Sequence, residues 1–327
     1  MGNALRGLGA ATVFLFAATV WALPPAGATE ARQDLNLGRA DAALGILNSA
    51  LGQNPSDAEA HNLRCRVYYE EEQWDAAIAD CEAAVGFAPN NSDDHLWLGR
   101  AYGKKAAHAS LVQAYKLARK VHTEFEAAAR LDPRNGAALA DLGEFDVEAP
   151  AVVGGGLKNA EAIMMQLRSV DPVRASTLQA QIAEERKDYV SAEAAFKAAI
   201  AQAPEPAEPW MDLANFYQRR GRTDAMYSAL NTAVEHDRAH GPALVEAAAL
   251  LTQAGRDAEP AIAWLREYLS SHAQAESAPA FVVRAQLAKL LAMKGNQQGA
   301  EEQLAAVHAL ASGYRIPPAA TTARAGE

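Results

Sequence analysis

The chain offers few groups able to make or break bonds. Its only cysteines are Cys65 and Cys81. His236 and His240 are four apart, a spacing that can put two imidazoles on one metal. They straddle an expected loop, however, and no third ligand stands near in sequence. His61, His95 and His122 fall on expected helices with no evident partners. Val153-Gly154-Gly155-Gly156-Leu157-Lys158 looks superficially like a phosphate loop. It lacks the G-x4-G-K-[ST] spacing and a preceding strand, so it reads as a hairpin insert. No Ser/His/Asp or Cys/His set stands out. No catalytic residue, metal or cofactor is expected, and the chain reads as non-enzymatic.

A sharper feature is electrostatic. From His95 to Thr123 there is no acidic residue, yet Arg100, Lys104, Lys105, Lys116, Arg119 and Lys120 all occur there, in a chain of net charge −10. Leu111, Tyr115, Ala118, Val121 and Phe125 recur at helical spacing, so the stretch reads as one long helix. Lys116, Arg119 and Lys120 fall away from that stripe. A solvated cationic face is the plain reading. The functional one is docking onto an anionic membrane, an envelope polymer or an acidic protein, weakened by salt.

Half of the 327 residues are apolar and few are aromatic. The Ala-rich composition favours helix, and a pI near 5.4 argues against a general nucleic-acid binder. Residues 1–28 have the layout of a secretory leader. Arg6 supplies the positive start, Ala10 to Leu23 is uncharged and apolar, and Ala26-Gly27-Ala28 fits the cleavage rule. Cleavage would leave an exported, periplasmic chain. An uncleaved leader would anchor it to the inner membrane. No cysteine follows that could carry a lipid, and Arg6 stands where myristoylation wants Ser or Thr.

The elements behind these groups are helical hairpins. In Trp210 to Ala233, residues Trp210, Leu213, Ala214 and Tyr217 share one face, Gly221 marks a hinge, and Met226, Leu230 and Ala233 form the second face. The pattern resembles the tetratricopeptide repeat, W-x2-L-G-x2-Y, then A-x3-F, then P. Ala43, Leu47, Ala50 and Pro55 fit it. So do Cys65, Tyr68, Ala77, Cys81, Ala84 and Pro89, one 34-residue period later. A third unit opens with Leu98, Gly99 and Tyr102 and closes with Phe125, Ala128 and Pro133, with the long helix as its insertion. A fourth has Leu142, Gly143, Met164 and Pro172, with Asp146 in the aromatic slot. A fifth, expected to have a short first helix, has Ala192, Phe196 and Pro204. Degenerate units follow to Tyr314. The resemblance implies an all-α solenoid of seven to eight hairpins over residues 29–314, one domain, followed by a disordered tail at 315–327. The long insertions resemble those of exported bacterial repeat proteins. In this register Cys65 faces Ala77, so its Cα is expected beyond the ~7 Å reach of a disulfide to Cys81.

What the resemblance implies about function is a concave groove lined by first helices and holding a peptide or protein partner. The positions carried over are Asn62, Arg66, Tyr69 and Glu70, then Leu96, Arg100 and Lys104, then Asn215, Gln218 and Arg219. Asn62, Arg66, Arg100, Lys104, Asn215 and Arg219 are the candidate partner-binding donors. Amide and cationic groups so placed resemble the carboxylate clamp of peptide-binding repeat proteins, which needs a fork of N–H donors. Leu96 breaks the pattern, and Glu144 is expected to pair with Arg100. The alternative is ordinary salt bridging between rungs, such as Glu70 with Lys104.

Overall fold

The computed structural model describes residues 25–256 and 258–317. Regular structure among them is entirely helical, in eight antiparallel pairs. The pairs are α1 (Pro25–Asn36) with α2 (Ala40–Gln53), α3 (Ala58–Glu70) with α4 (Trp74–Phe87), and α5 (Ser92–Ala107) with α6 (Leu111–Leu131). Next come α7 (Gly136–Glu148) with α8 (Leu157–Val170), α9 (Pro172–Glu185) with α10 (Tyr189–Gln202), and α11 (Ala207–Arg219) with α12 (Thr223–His236). The last are α13 (Pro242–Gln253) with α14 (Glu259–Ser270) and α15 (Ala280–Met293) with α16 (Gln297–Leu310). The expected leader falls mostly on residues 1–24, outside the described residues, as do residues 318–327 of the expected tail.

Local chemistry sets the boundaries. Asp57, Asn135, Asp171, Asp188 and Asn296 each accept the backbone N–H three residues on, capping α3, α7, α9, α10 and α16. Six hairpins turn through one left-handed residue, at Gly38, Glu72, Lys187, Gly221, Gly255 and Gly295. The other two hairpins carry the insertions. In the third hairpin α6 runs 21 residues, the expected long helix. In the fourth, a short 3-10 helix (Ala151–Val153) and Gly154 to Gly156 separate α7 from α8. Gly154 takes φ +111° and abuts the His122 ring, where a Cβ would stand 2.5 Å from the ring carbon.

Hairpins stack through small residues. Ala43, Ala77, Ala128, Ala160, Ala192 and Ala261 at second-helix positions are essentially buried, letting neighbours approach closely while Leu63, Leu139, Leu167, Phe196, Leu213 and Tyr268 fill the spaces. The fifth unit corrects an expectation: α9 is a full 14 residues, because Asp171 caps it and Pro172 occupies its first turn. The first unit is also a whole hairpin, with Ala28, Ala31 and Leu35 of α1 buried.

Two further expectations are overturned. Cys65 and Cys81 form a disulfide with a Cα–Cα separation of 5.3 Å. The turn at Glu71–Gln73 is tight, with Glu72 at φ +59°, so the two cysteines lie at nearly the same level of the α3–α4 hairpin rather than a turn apart. Second, the array is not open. Its last hairpin returns to its first, and Ala31, Leu35 and Leu47 share one core with Phe281, Val307, Ala311 and Tyr314. Phe281 and Tyr314 rings stand 5.0 Å apart. The Asp41 carboxylate accepts from the Ser312 backbone N–H at 3.1 Å, and Gln73 donates to the Gly313 carbonyl at 3.3 Å. Ile316, placed in the expected tail, also packs on this seam.

Candidate functional site

The groove site is built by three consecutive first helices and one distant loop. Arg66 on α3 and Arg100 on α5 both lie over the Trp97 ring, 4.8 and 4.7 Å from its centroid. Each guanidinium also grips a carboxylate with two prongs. Arg66 donates Nε to Glu276 at 2.8 Å and its terminal nitrogen to the other oxygen. Arg100 donates to Asp141 on α7 at 2.6 and 3.3 Å. Tyr69 meets Trp97 edge-on at 5.5 Å, and Lys104 stands 5.9 Å over the Tyr69 ring. Arg66 and Arg100 on adjacent first helices share Trp97 as a common plate. Glu144 lies in the same hollow as Arg100 but does not make the expected ion pair with it. Asp141, one turn earlier on α7, holds it instead because it faces α5 directly.

Ring closure narrows the groove. Tyr69 and Glu70 of α3, Lys104 of α5, Val245 and Glu246 of α13, and Val282 of α15 line one cleft of about 190 Å³. Burial raises the Glu70 carboxyl to about 8, with Glu276 adding to the effect. It forms no ion pair with Lys104 among the described residues, although Lys104, Arg66 and Arg100 are near enough to oppose the rise. A wider hollow of about 760 Å³ runs past Arg100, Glu144, Thr177, Glu208 and Asp212. Burial, with Glu208 and Glu246 nearby, raises Asp212 to about 7. Thr177 donates to it at 3.3 Å.

The remaining sequence candidates are distributed differently. Asn62 is buried at 6% exposure, and its Nδ2 has no hydrogen-bond partner among the described residues. Leu96 is buried at 3% in the core of the second to fourth hairpins. Asn215 is half-buried. Arg219 is exposed and held by Glu184 at 2.8 and 3.0 Å. Sequence reasoning does not find Trp97, Asp141 or Glu276. Trp97 sits one residue past a groove position, and its residue type is a usable signal. Glu276 has no local signal, because only closure brings it to Arg66.

The histidines do have partners. His61 Nδ1 bonds Asp80 at 2.7 Å and Nε2 bonds the Pro55 carbonyl at 3.0 Å. His95 repeats this 34 residues later with Glu124 at 2.6 Å and the Pro89 carbonyl at 3.1 Å. The paired imidazoles tie first helix, second helix and preceding loop, a structural role. Among the described residues no group of three His, Cys, Asp or Glu is placed to hold a metal.

The basic helix is partly neutralised. Lys105 pairs with Asp75, and Lys120 lies 3.6 Å from Glu82 and donates to the Tyr102 hydroxyl at 3.0 Å. Lys116 and Arg119 are exposed. No helix among the described residues is long and apolar enough to cross a membrane.

Comparison with known proteins agrees with the geometry. The tetratricopeptide repeat model matches residues 29–92 and 155–207. No curated protein matches the chain. The thermophilic repeat protein TTC0263 of Thermus thermophilus is 22% identical, with TM-score 0.50, over 59% of this chain and 98% of its own. Yeast Tom70 is 16% identical with TM-score 0.50, over 83% of this chain and 55% of its own. With eight stacked hairpins and small residues at the helix contacts, the chain has the fold of a tetratricopeptide repeat array, and its residues 29–92 and 155–207 match that family's model.

Proposed function

We propose that the protein is a non-enzymatic scaffold of the bacterial cell envelope that holds a carboxylate-bearing peptide or protein segment in its groove. Tetratricopeptide arrays are protein-interaction scaffolds as a class. The observation that carries the finer reading is Glu276 itself. A carboxylate from a distant loop lies across the Arg66 guanidinium, beside Trp97 and Arg100. A planar fork over an aromatic plate is the arrangement that recognises a carboxylate, whether the chain's own or a partner's. An incoming carboxylate takes the place of Glu276. The leader-like residues 1–28 and the Cys65–Cys81 disulfide support an exported location, since disulfides persist in oxidising compartments.

The test uses fluorescent peptides that end in a free carboxylate, each against its amidated twin, read by anisotropy. Glu276→Gln should strengthen binding of the acid form, and Arg66→Ala with Arg100→Ala should abolish it. Binding indifferent to both changes, or equal for acid and amide, would refute the groove assignment.

A further inference from the structure

The long helix of the third hairpin leaves an unusual tip. From Ala106 to Tyr115, through the end of α5, the turn and the start of α6, there is no Asp, Glu, Lys or Arg. At its apex Leu111 is 92% exposed and Val112 69%. Tyr115 follows one turn along, also exposed. None of residues 108–120 is buried, so α6 projects past the hairpins that flank it.

Cations ring this tip on both helices. Lys105, paired with Asp75, stands in the last turn of α5, and Lys116, Arg119 and Lys120, the last beside Glu82, stand in the second and third turns of α6. Lys116 and Arg119 make no ion pair among the described residues. The order along the axis is therefore apolar end, tyrosine, then cations, over about 12 Å from Leu111 to Arg119 at 1.5 Å per residue.

That order distinguishes the possible occupants. A partner helix would want apolar residues in a stripe running along α6. Here the exposed ones, Leu111, Val112 and Tyr115, crowd its first two turns, at the outer end of a hollow of about 930 Å³ that Thr123 and Glu124 also line, while Val121 and Phe125 further along the stripe are already buried. An apolar cap, an aromatic one turn back and a cationic collar match the depth profile of an anionic bilayer: hydrocarbon, interface, phosphates. We propose that the α5–α6 tip docks on an anionic membrane surface, Leu111 and Val112 entering the acyl boundary and Lys116 and Arg119 meeting lipid phosphates. This surface is separate from the groove, and either assignment can fail alone.

The experiment is co-sedimentation of the full chain with vesicles of roughly one-third phosphatidylglycerol in phosphatidylcholine, and with pure phosphatidylcholine, at low and high salt. The expected result is binding to the anionic vesicles only, reduced by salt. Lys116→Glu with Arg119→Glu should weaken it at least about tenfold. Leu111→Ser with Val112→Ser should weaken it comparably, with an unchanged melting temperature because both side chains are exposed. An environment-sensitive dye on Val112→Cys should shift to the blue with anionic vesicles. Three results overturn the proposal: no binding; binding to both vesicle types that the variants do not alter, which would place the contact in residues 1–24 or on another face; or self-association that the same variants abolish, which would make a second copy the occupant.

Discussion

Arg66 and Glu276, 210 residues apart in the chain, meet in a two-pronged ion pair at the point where the last hairpins return to the first. Their side chains are only 17% and 12% exposed, too sheltered to be discounted as a surface pair. The contact has two consequences, since it both closes the ring and fills the groove. Glu276→Ala leaves a guanidinium partly buried without its acceptor, and Arg66→Ala leaves a carboxylate. Each should cost about 2 kcal/mol. The double variant should cost clearly less than the sum. Urea denaturation of the four proteins measures this, and strict additivity would deny that the pair acts as a unit.

Gly38 tests closure from the backbone side. It adopts φ +61°, and a Cβ there would stand 2.2 Å from the Ala280 backbone nitrogen. Backbone cannot step aside as a side-chain tip can. Gly38→Ala should therefore part α1 and α2 from α15 as well as strain the turn, and amides of α1 and α16 should lose hydrogen-exchange protection together. Gly221→Ala, also in a left-handed turn but with open space around it, should cost only the conformational penalty of roughly 1 kcal/mol.

Tyr314 is the apolar latch of the same seam, 5% exposed and against Phe281. Tyr314→Ala should destabilise the chain by about 3 kcal/mol. Tyr314→Phe should retain most of that stability, since the ring supplies the contact. A thermal melt in which both behave like the wild type would show that residues 311–317 do not hold the ring shut.

Glu71 predicts a pH dependence. It is 1% exposed at the seam, and burial, with Asp41 nearby, raises its carboxyl to about 7 from 4.5. Between those values the folded chain keeps a proton that the unfolded chain has released, so stability falls as pH rises through the window. Below about 4.5 the penalty is absent, and above about 7 it is complete. Asp146 and Asp212, also raised to about 7 by burial, act in the same direction. Melting temperature should be higher at about pH 5 than at about pH 8, and Glu71→Gln should flatten the slope.

The disulfide gives the last prediction. Cys65 and Cys81, 16 residues apart, close a loop within one hairpin. Reduction should lower stability by about 3 kcal/mol. Because both cysteines are fully buried, the reductant should act only after partial unfolding.

The hairpins were legible in the chain because their cause is local. Helical spacing, Asp and Asn caps, left-handed turn residues and the 34-residue recurrence of Arg66 and Arg100 all act within one unit or between adjacent ones. The long α6 was legible for the same reason, through Leu111, Val121 and Phe125. The exchange of Glu144 for Asp141, the burial of Asn62 and the bridging of Cys65 to Cys81 turned on rotations of less than one helical turn, which spacing does not resolve. Ring closure lay further out of reach. It sums small rotations over eight hairpins until Ala31 and Leu35 meet Phe281 and Tyr314, and no segment encodes that sum. Only the folded array could bring Glu276 to Arg66, and with it decide that the groove's cation holds a carboxylate of its own.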